Sequence, residues 1–325
     1  MTEAAAHDQE KKPWKPHPIS RSAFSIVAVL FYLSQLGIGI AVYHGNYWIA
    51  VPLVLFCGHF MHGLLIGFHE ASHGMLRKNK KINDIEGTVI GTFSFTCFTL
   101  YRAAHQAHHM HLASRKDIEL WPFNQPEIPR WRRVLAACFE LTLGLFFTPF
   151  IFMRAFLEKD SIIRSQRVRK KIWREIILMI VVWTLVFTGI TVFGVWHFFL
   201  WVFAMPALIA GNLQSWRKYI EHVGLTGSTI KSGTRSVVAD SWLGKAVSFT
   251  LLHEPYHGVH HINMGLPHAE LPGHTDLLTP SNPDELPPFR SYGHAVLHLI
   301  KSLGDPKVGP QWNEAEQKEV STAAN

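Results

Sequence analysis

Two long stretches of the chain carry no charged residue. The first, Ser22 to Phe68, runs for 47 residues, and the second, Ile176 to Trp216, for 41. A helix needs about 20 apolar residues to cross a bilayer, so each stretch has room for two crossings and a turn. His44-Gly45-Asn46 breaks the first stretch, and Phe193-Gly194-Val195 offers a glycine at which the second can turn. The pattern predicts an all-α integral membrane protein with two transmembrane helical hairpins, its four spans at about 23–42, 47–68, 176–193 and 196–216. Two weaker apolar stretches stand apart. Thr88 to Tyr101 is uncharged but too short to span, and Val134 to Met153 has the length but carries Glu140 and Pro149. Both read as interfacial or re-entrant helices. If both crossed instead, the sides of the remaining segments would be unchanged; if one crossed, they would not.

Basic residues orient these hairpins. Four Lys/Arg precede residue 22, eighteen lie in 69–175, nine lie in 217–325, and neither hairpin turn has any. Positive charge stays on the cytoplasmic side, which places both termini and the middle segment there. The expected organisation is an N-terminal cytoplasmic segment, 1–21, one membrane domain, 22–274, and a cytoplasmic C-terminal tail, 275–325, disordered from about 311. No secretory signal peptide fits the polar start. The net charge of +7 then belongs to a cytoplasmic surface facing lipid headgroups, and nucleic acid is not an expected partner. The mean hydropathy of +0.09 and apolar fraction of 48% hide the membrane character, because polar segments offset the spans. Cys57, Cys97 and Cys138 form no CxxC pair and read as reduced packing residues.

Histidine changes the picture, with 21 against 24 carboxylates. His69 and His73 are spaced i, i+4 just past the second span. His105, His108 and His109 are spaced i, i+3, i+4, and His257, His260 and His261 repeat that spacing. His222 follows the fourth span. On a helix such spacings share one face, so each group aims its imidazoles one way. Neutral imidazole suits iron, zinc and copper, and nine such ligands suit two metals. All nine fall on the side that Lys/Arg counting makes cytoplasmic, where they would form a helical cap over the spans.

The order HxxxH, HxxHH, HxxHH, interleaved with two membrane hairpins, resembles the membrane fatty acid desaturase and hydroxylase superfamily, which includes carotenoid ketolases and hydroxylases. The resemblance covers roughly Phe68 to His274. It extends to Asn83-Asp84, Asp117, the string Arg217-x-Tyr219-x-Glu221-His222, Pro255-Tyr256-His257 and Pro267-His268. Box one has three residues between its histidines where many desaturases have four, and Ile262-Asn263-Met264 replaces the usual Phe-Pro after box three. The resemblance implies a non-haem diiron centre ligated by His69, His73, His105, His108, His109, His222, His257, His260 and His261, with O2 as co-substrate. It implies oxidation of an unactivated C–H bond in a lipid, foremost fatty acyl desaturation, with hydroxylase or ketolase chemistry on the same site as the alternative. Electrons would come from a separate ferredoxin, rubredoxin or cytochrome.

Rival readings exist. His69-Glu70-x-x-His73 is also HExxH, the zinc metalloprotease motif in which Glu70 would be the general base. It leaves most of the other histidines unexplained. A non-catalytic metal-binding or transport protein is the third class. In the oxidase reading, Glu70, Asp117, Glu221, His253 and His268 orient the ligands from behind, with His253 able to replace one. His59 and His62, inside the second span, either line a substrate cavity or pack helices. His111 and His274 flank the boxes off their spacing; His7, His17 and His294 read as surface residues. The basic run Arg164 to Arg174 reads as a headgroup-facing surface first and a docking face for an acidic electron donor second.

Overall fold

The computed structural model describes residues 14–313. Every regular element among them is helical, with two isolated bridges, Leu225–Val308 and Val237–Phe289. A short α1, Pro18–Arg21, leads into the first hairpin: α2, Ala23–Tyr43, turns through 44–46 into α3, Tyr47–Ser72. Then come α4, Lys80–Phe93, α5, Phe98–Met110, and α6, Arg130–Leu157. The second hairpin pairs α7, Gln166–Val192, with a helix that starts as α8, Trp196–Phe199. That helix widens to a π turn over Leu200–Ala204 and continues as α9, Met205–His222. Both turns form where the sequence placed them, and both glycines, Gly45 and Gly194, adopt positive φ, the conformation glycine tolerates best.

The two hairpin tips lie together. Tyr47 Oη is 3.2 Å from His197 Nε2, and the Tyr47 and Trp201 rings are 5.3 Å apart. Exposed Tyr43, Trp48, Phe193 and Trp196 surround this end, as aromatics do at a membrane interface. The far ends of α3 and α9 carry His69 and His222. Between the ends, small residues let the helices approach closely: a Cβ on Gly58 would lie 2.6 Å from Ile209, and one on Gly211 would lie 2.6 Å from the Leu145 backbone.

Five helices are long and apolar enough to cross a membrane, where four spans were expected; the fifth is α6. Its contacts bring both of its ends to the histidine side. Arg133, near its start, pairs with Asp305 and donates to the Pro306 carbonyl at 3.0 Å, on a segment tied to Gly224 just past His222. Phe156, near its end, packs 5.6 Å from Trp173 and accepts from Arg169. Its middle is broken at Leu143, and the Gly144 amide donates to Asn212 Oδ1 at 2.9 Å. Gly144 abuts Gly211, eleven residues before His222, or about 16 Å by helical rise.

Thr88–Tyr101 is not one helix, as the sequence suggested. Its first part closes α4, its last residues open α5, and a buried turn at 94–97 joins them. The α4 end reaches Trp183, whose Nε1 donates to the Thr92 carbonyl at 2.8 Å. The turn then returns to Thr99, held by Glu175 eight residues nearer the start of α7. Thr and Ser drive this outcome: Ser94 Oγ donates to Ile90 O and Thr96 Oγ1 to Ser94 O, so the buried turn satisfies its own polar groups, a requirement away from water. Glu175 accepts from the Thr99 amide at 2.8 Å and caps the α5 N-terminus from another helix.

Past α9 come α10, Ile230–Gly233, α11, Trp242–Thr250, α12, His257–Ile262, a 3-10 segment over His268–Leu278, and α13, Tyr292–Ile300. Residues 275–313, expected as a tail, pack on the rest: Leu278, Ala295, Leu299, Val308 and Trp312 are buried. The expected disorder from 311 does not hold for Gln311 and Trp312, both buried; the remainder of that tail, and His7, lie outside the described residues. Cys138 is exposed rather than packed, while Cys57 and Cys97 are buried and free.

Candidate metal centre

Nine histidines from four separate segments meet at one end of the bundle. His69 ends the long run of α3 and His73 caps it; α5 contributes His105, His108 and His109 from its last turns; α9 ends on His222; α12 carries His257, His260 and His261. They fall into two groups. His69, His73, His105, His109 and His260 bring five ring nitrogens within 4.8 Å of one another. His108, His222 and His261 do the same, and His257 joins His222 beside Glu221. Boxes two and three each serve both groups, because i and i+4 point one way and the residue between them another.

The backs of these rings are held. His105 Nδ1 lies 2.9 Å from Glu119, His108 Nδ1 2.8 Å from Asp117, His222 Nδ1 3.0 Å from the Gly233 carbonyl, and His257 Nδ1 2.9 Å from Glu254. Asp117 also accepts from the Ala113 and Glu119 amides, so the loop after α5 is folded around it. Arg217 bonds both Glu221 and Glu254, at 2.7 and 2.6 Å. A carbonyl can only accept, so His222 keeps its proton on Nδ1; the Glu254 carboxylate, beside Arg217, accepts a hydrogen bond from the Nδ1–H of His257 in the same way.

That leaves bare lone pairs on the two Nε2 atoms, and these are 2.9 Å apart. His257 and His261 Nε2 are 3.0 Å apart, and His109 Nε2 lies 3.1 Å from both His105 and His260. Such separations are what adjacent nitrogen ligands show around one cation with metal–nitrogen bonds of about 2.1 Å. His69 Nδ1 and Nε2 and His73 Nε2 are buried with no hydrogen-bond partner, a costly state without a ligand. The residues fit two first-row cations.

Electrostatics agree. Burial, and then neighbouring imidazoles, hold His105, His109, His257, His260 and His261 below the ordinary histidine range. Burial lowers His73 to about 4. His108 alone moves up: burial pulls it down, but Asp117 and Glu119 outweigh that. Most of the rings are thus neutral and ready to ligate. The negative end of the α5 dipole points toward His108 and His109, which favours a cation.

The orienting residues named from the sequence fare unevenly. Asp117 holds His108. Glu221 holds Arg217 and stands 3.6 Å from His257 Nε2, beyond a hydrogen bond. Glu70 is buried, 3.9 Å from His69 Nδ1, with one oxygen unpartnered. His253 bonds Ser248, not a ligand, and His268 Nδ1 has no partner. Glu119 and Glu254 were missed. His59 ties α3 to Thr250 at 2.7 Å, and His62 is buried.

An apolar cleft lies beside the centre. Leu65 and Phe68 of α3, Thr96 of the buried turn, Thr148 and Phe152 of α6, and Tyr101 line it. The Tyr101 ring stacks on His105 at 5.3 Å and 8°, so the cleft ends one ring from the first histidine group.

A family model described as "Fatty acid desaturase" matches residues 46–293. The chain belongs to the fatty acid desaturase family. The "Fatty acid desaturase" of Bacillus subtilis (strain 168) is 22% identical over 258 residues, 74% of this chain and 70% of that protein. The chloroplastic "Omega-3 fatty acid desaturase" of Ricinus communis is 28% identical over 116 residues, and that of Glycine max 25% over 116. In both plant relatives the match spans only 24% of their length and 35% of this chain. The chain has apolar helices that fit a multi-pass membrane protein and histidine groups able to hold metal.

Proposed function

We propose that this chain is a membrane diiron enzyme that uses O2 to desaturate a fatty acyl chain. The observation that carries the reading is the pair of histidine groups with converging nitrogens, set where an apolar cleft meets Tyr101. His69, His73, His105, His109 and His260 would hold one iron, and His108, His222, His257 and His261 the other. Iron there would supply the reduction of O2, which with two outside electrons and two protons takes two hydrogens from the acyl chain to leave an alkene and two waters.

The chain's own residues do the rest. Asp117, Glu119, Glu254 and the Gly233 carbonyl fix which ring nitrogen faces the metal. Tyr101, Phe68 and Phe152 line an apolar slot beside the first histidine group. The relatives' names favour desaturation over hydroxylation. Cytoplasmic termini and a cytoplasmic metal face follow from the Lys/Arg distribution, and a separate redox protein would deliver the electrons.

The test is purified protein in detergent, assayed for metal and for O2-dependent oxidation of membrane lipid with a chemical reductant. About two irons per chain and a new double bond in the recovered fatty acids are expected. An added hydroxyl instead would turn the reading to a hydroxylase. One zinc per chain with no iron under iron-replete expression would defeat it.

A further inference from the structure

The cations at the start of α7 gather on one side. Arg167, Lys170 and Arg174 follow i, i+3, i+7 spacing, one helical face. Thr99, Arg102 and Gln106 follow the same spacing on α5. Together they line an open trough of about 780 Å3 between the two helices. Arg102 is paired with Asp84 at 2.6 Å, and Lys171 faces Glu175 at 3.9 Å. Arg167, Lys170 and Arg174 have no ion-pair partner among the described residues. Three guanidinium or ammonium groups on one wall repel one another, which is tolerable when an anionic surface covers them.

The floor of the trough is the outer face of α5. His108 lies on its opposite face, and His105 and His109 lie on its flank. A helix with its side chains is about 10–12 Å across, so whatever sits in the trough is one helix away from both histidine groups. The trough also stands clear of the bilayer. The uncharged part of α7 begins after Glu175, and Arg167 lies eight residues earlier, about 12 Å by helical rise. The headgroup layer is about 5–8 Å deep on each side, so the outer half of the trough meets water.

We propose that this trough docks an acidic one-electron carrier protein, which passes electrons through α5 to the metal centre. The proposal rests on the oxidase reading, whose balance needs two electrons per turnover, delivered here in two single transfers from the reduced carrier. Electrostatic complementarity of this kind speeds and orients encounter.

Binding tests it directly. The full-length protein in nanodiscs of zwitterionic lipid is titrated with a reduced acidic [2Fe–2S] ferredoxin, an acidic rubredoxin and a soluble cytochrome b domain. The parent should bind at least one carrier, with affinity falling as salt rises. R167E/K170E/R174E should bind that carrier about tenfold or more weakly, with iron content and melting temperature as in the parent. Equal binding by the variant overturns the proposal, as does failure of the parent to bind any of the three. A variant that binds the carrier normally but loses stabilisation by phosphatidylglycerol nanodiscs also overturns it, in favour of a lipid headgroup site. Failure of the oxidase reading looks different: the parent, reduced without O2 by stoichiometric dithionite and then exposed to O2, would show no lipid oxidation, whatever its affinity for carriers.

Discussion

The carboxylate of Glu254 lies 2.9 Å from Nδ1 of His257. Its other oxygen is 3.4 Å from Nδ1 of His69, so one buried side chain reaches an imidazole in each histidine group. Arg217 holds the same carboxylate. Removing it with Glu254→Ala leaves the buried Arg217 with Glu221 as its remaining carboxylate and should lower the melting temperature. Glu254→Gln is the cleaner probe. It keeps an acceptor and loses the charge, and it should weaken iron binding by about 10–100-fold in a chelator competition read by metal analysis. Unchanged iron affinity would show that His257 is held without it.

His108→Ala and His260→Ala each remove a nitrogen that no neighbour can replace, one from each group. Both should abolish lipid oxidation and lower bound iron. His294→Ala should leave both near the parent level, since His294 is exposed and pairs with Ser291, at 2.8 Å, away from the histidine groups. Full activity in His260→Ala would remove box three from the site.

Glu70 separates oxidase from protease. As the general base of a zinc protease it would be worth about 10²–10⁴-fold in rate, lost in Glu70→Gln. In the oxidase it is a buried neighbour of His69 with no hydrogen bond to any box histidine, so Glu70→Gln should keep its iron and show reduced, not erased, lipid oxidation. His73→Ala should lose iron itself. Loss of iron in Glu70→Gln would instead make Glu70 a ligand.

Proton release on metal loading reads the electrostatics. Most of the box histidines are already neutral in the folded apoprotein at pH 6, His73 down to about 4, while His108 is held protonated above the usual range. A metal must displace a proton only where one is bound. Loading should therefore release the His108 proton at pH 6, together with that of Glu254, which burial raises to about 7, and fewer protons as pH rises past both titrations. Calorimetry in buffers of different ionisation enthalpy measures this. Release that does not fall as pH rises would mean that these groups are not the source.

Reporter fusions at the two termini test the re-entrant path of α6. Both should report the cytoplasmic side, because α6 enters and leaves beside the histidines. Opposite signals would make α6 a fifth crossing.

The histidines were legible because a helix repeats its face every three to four residues, and that spacing survives in the sequence whatever surrounds it. The division into two groups was not, since periodicity gives a direction and not a destination. Glu119 and Glu254 reach the site from loops, where no period applies. His253 was named instead of Glu254 because it stands four residues before His257. But Leu252 and His253 both have positive φ, 50° and 56°, so α12 has not begun there and the spacing has no meaning. The long apolar helices were visible in their lack of charge. Thr88–Tyr101 was read as one interfacial or re-entrant helix, and its break at 94–97 was not visible, because Ser and Thr satisfy it by bonds to their own backbone that leave no mark in hydropathy.

The four segments that converge on the metal centre are made far apart in time. Residues 69–73, 105–109 and 222 are synthesised with the apolar stretches or between them, whereas 257–261 follow the last of them. A nascent chain that has just released Trp216 has every apolar stretch it needs to settle in the bilayer, yet neither histidine group is complete. Membrane insertion and the arrival of catalytic competence are therefore separate stages in the life of this protein. Because α12 is only six residues long and is pinned by Gly258 to Ser236 at 2.8 Å, bound metal would act as the final rivet, joining the last-made segment to the first. Chelation should then free box three and the chain around it before it disturbs either hairpin.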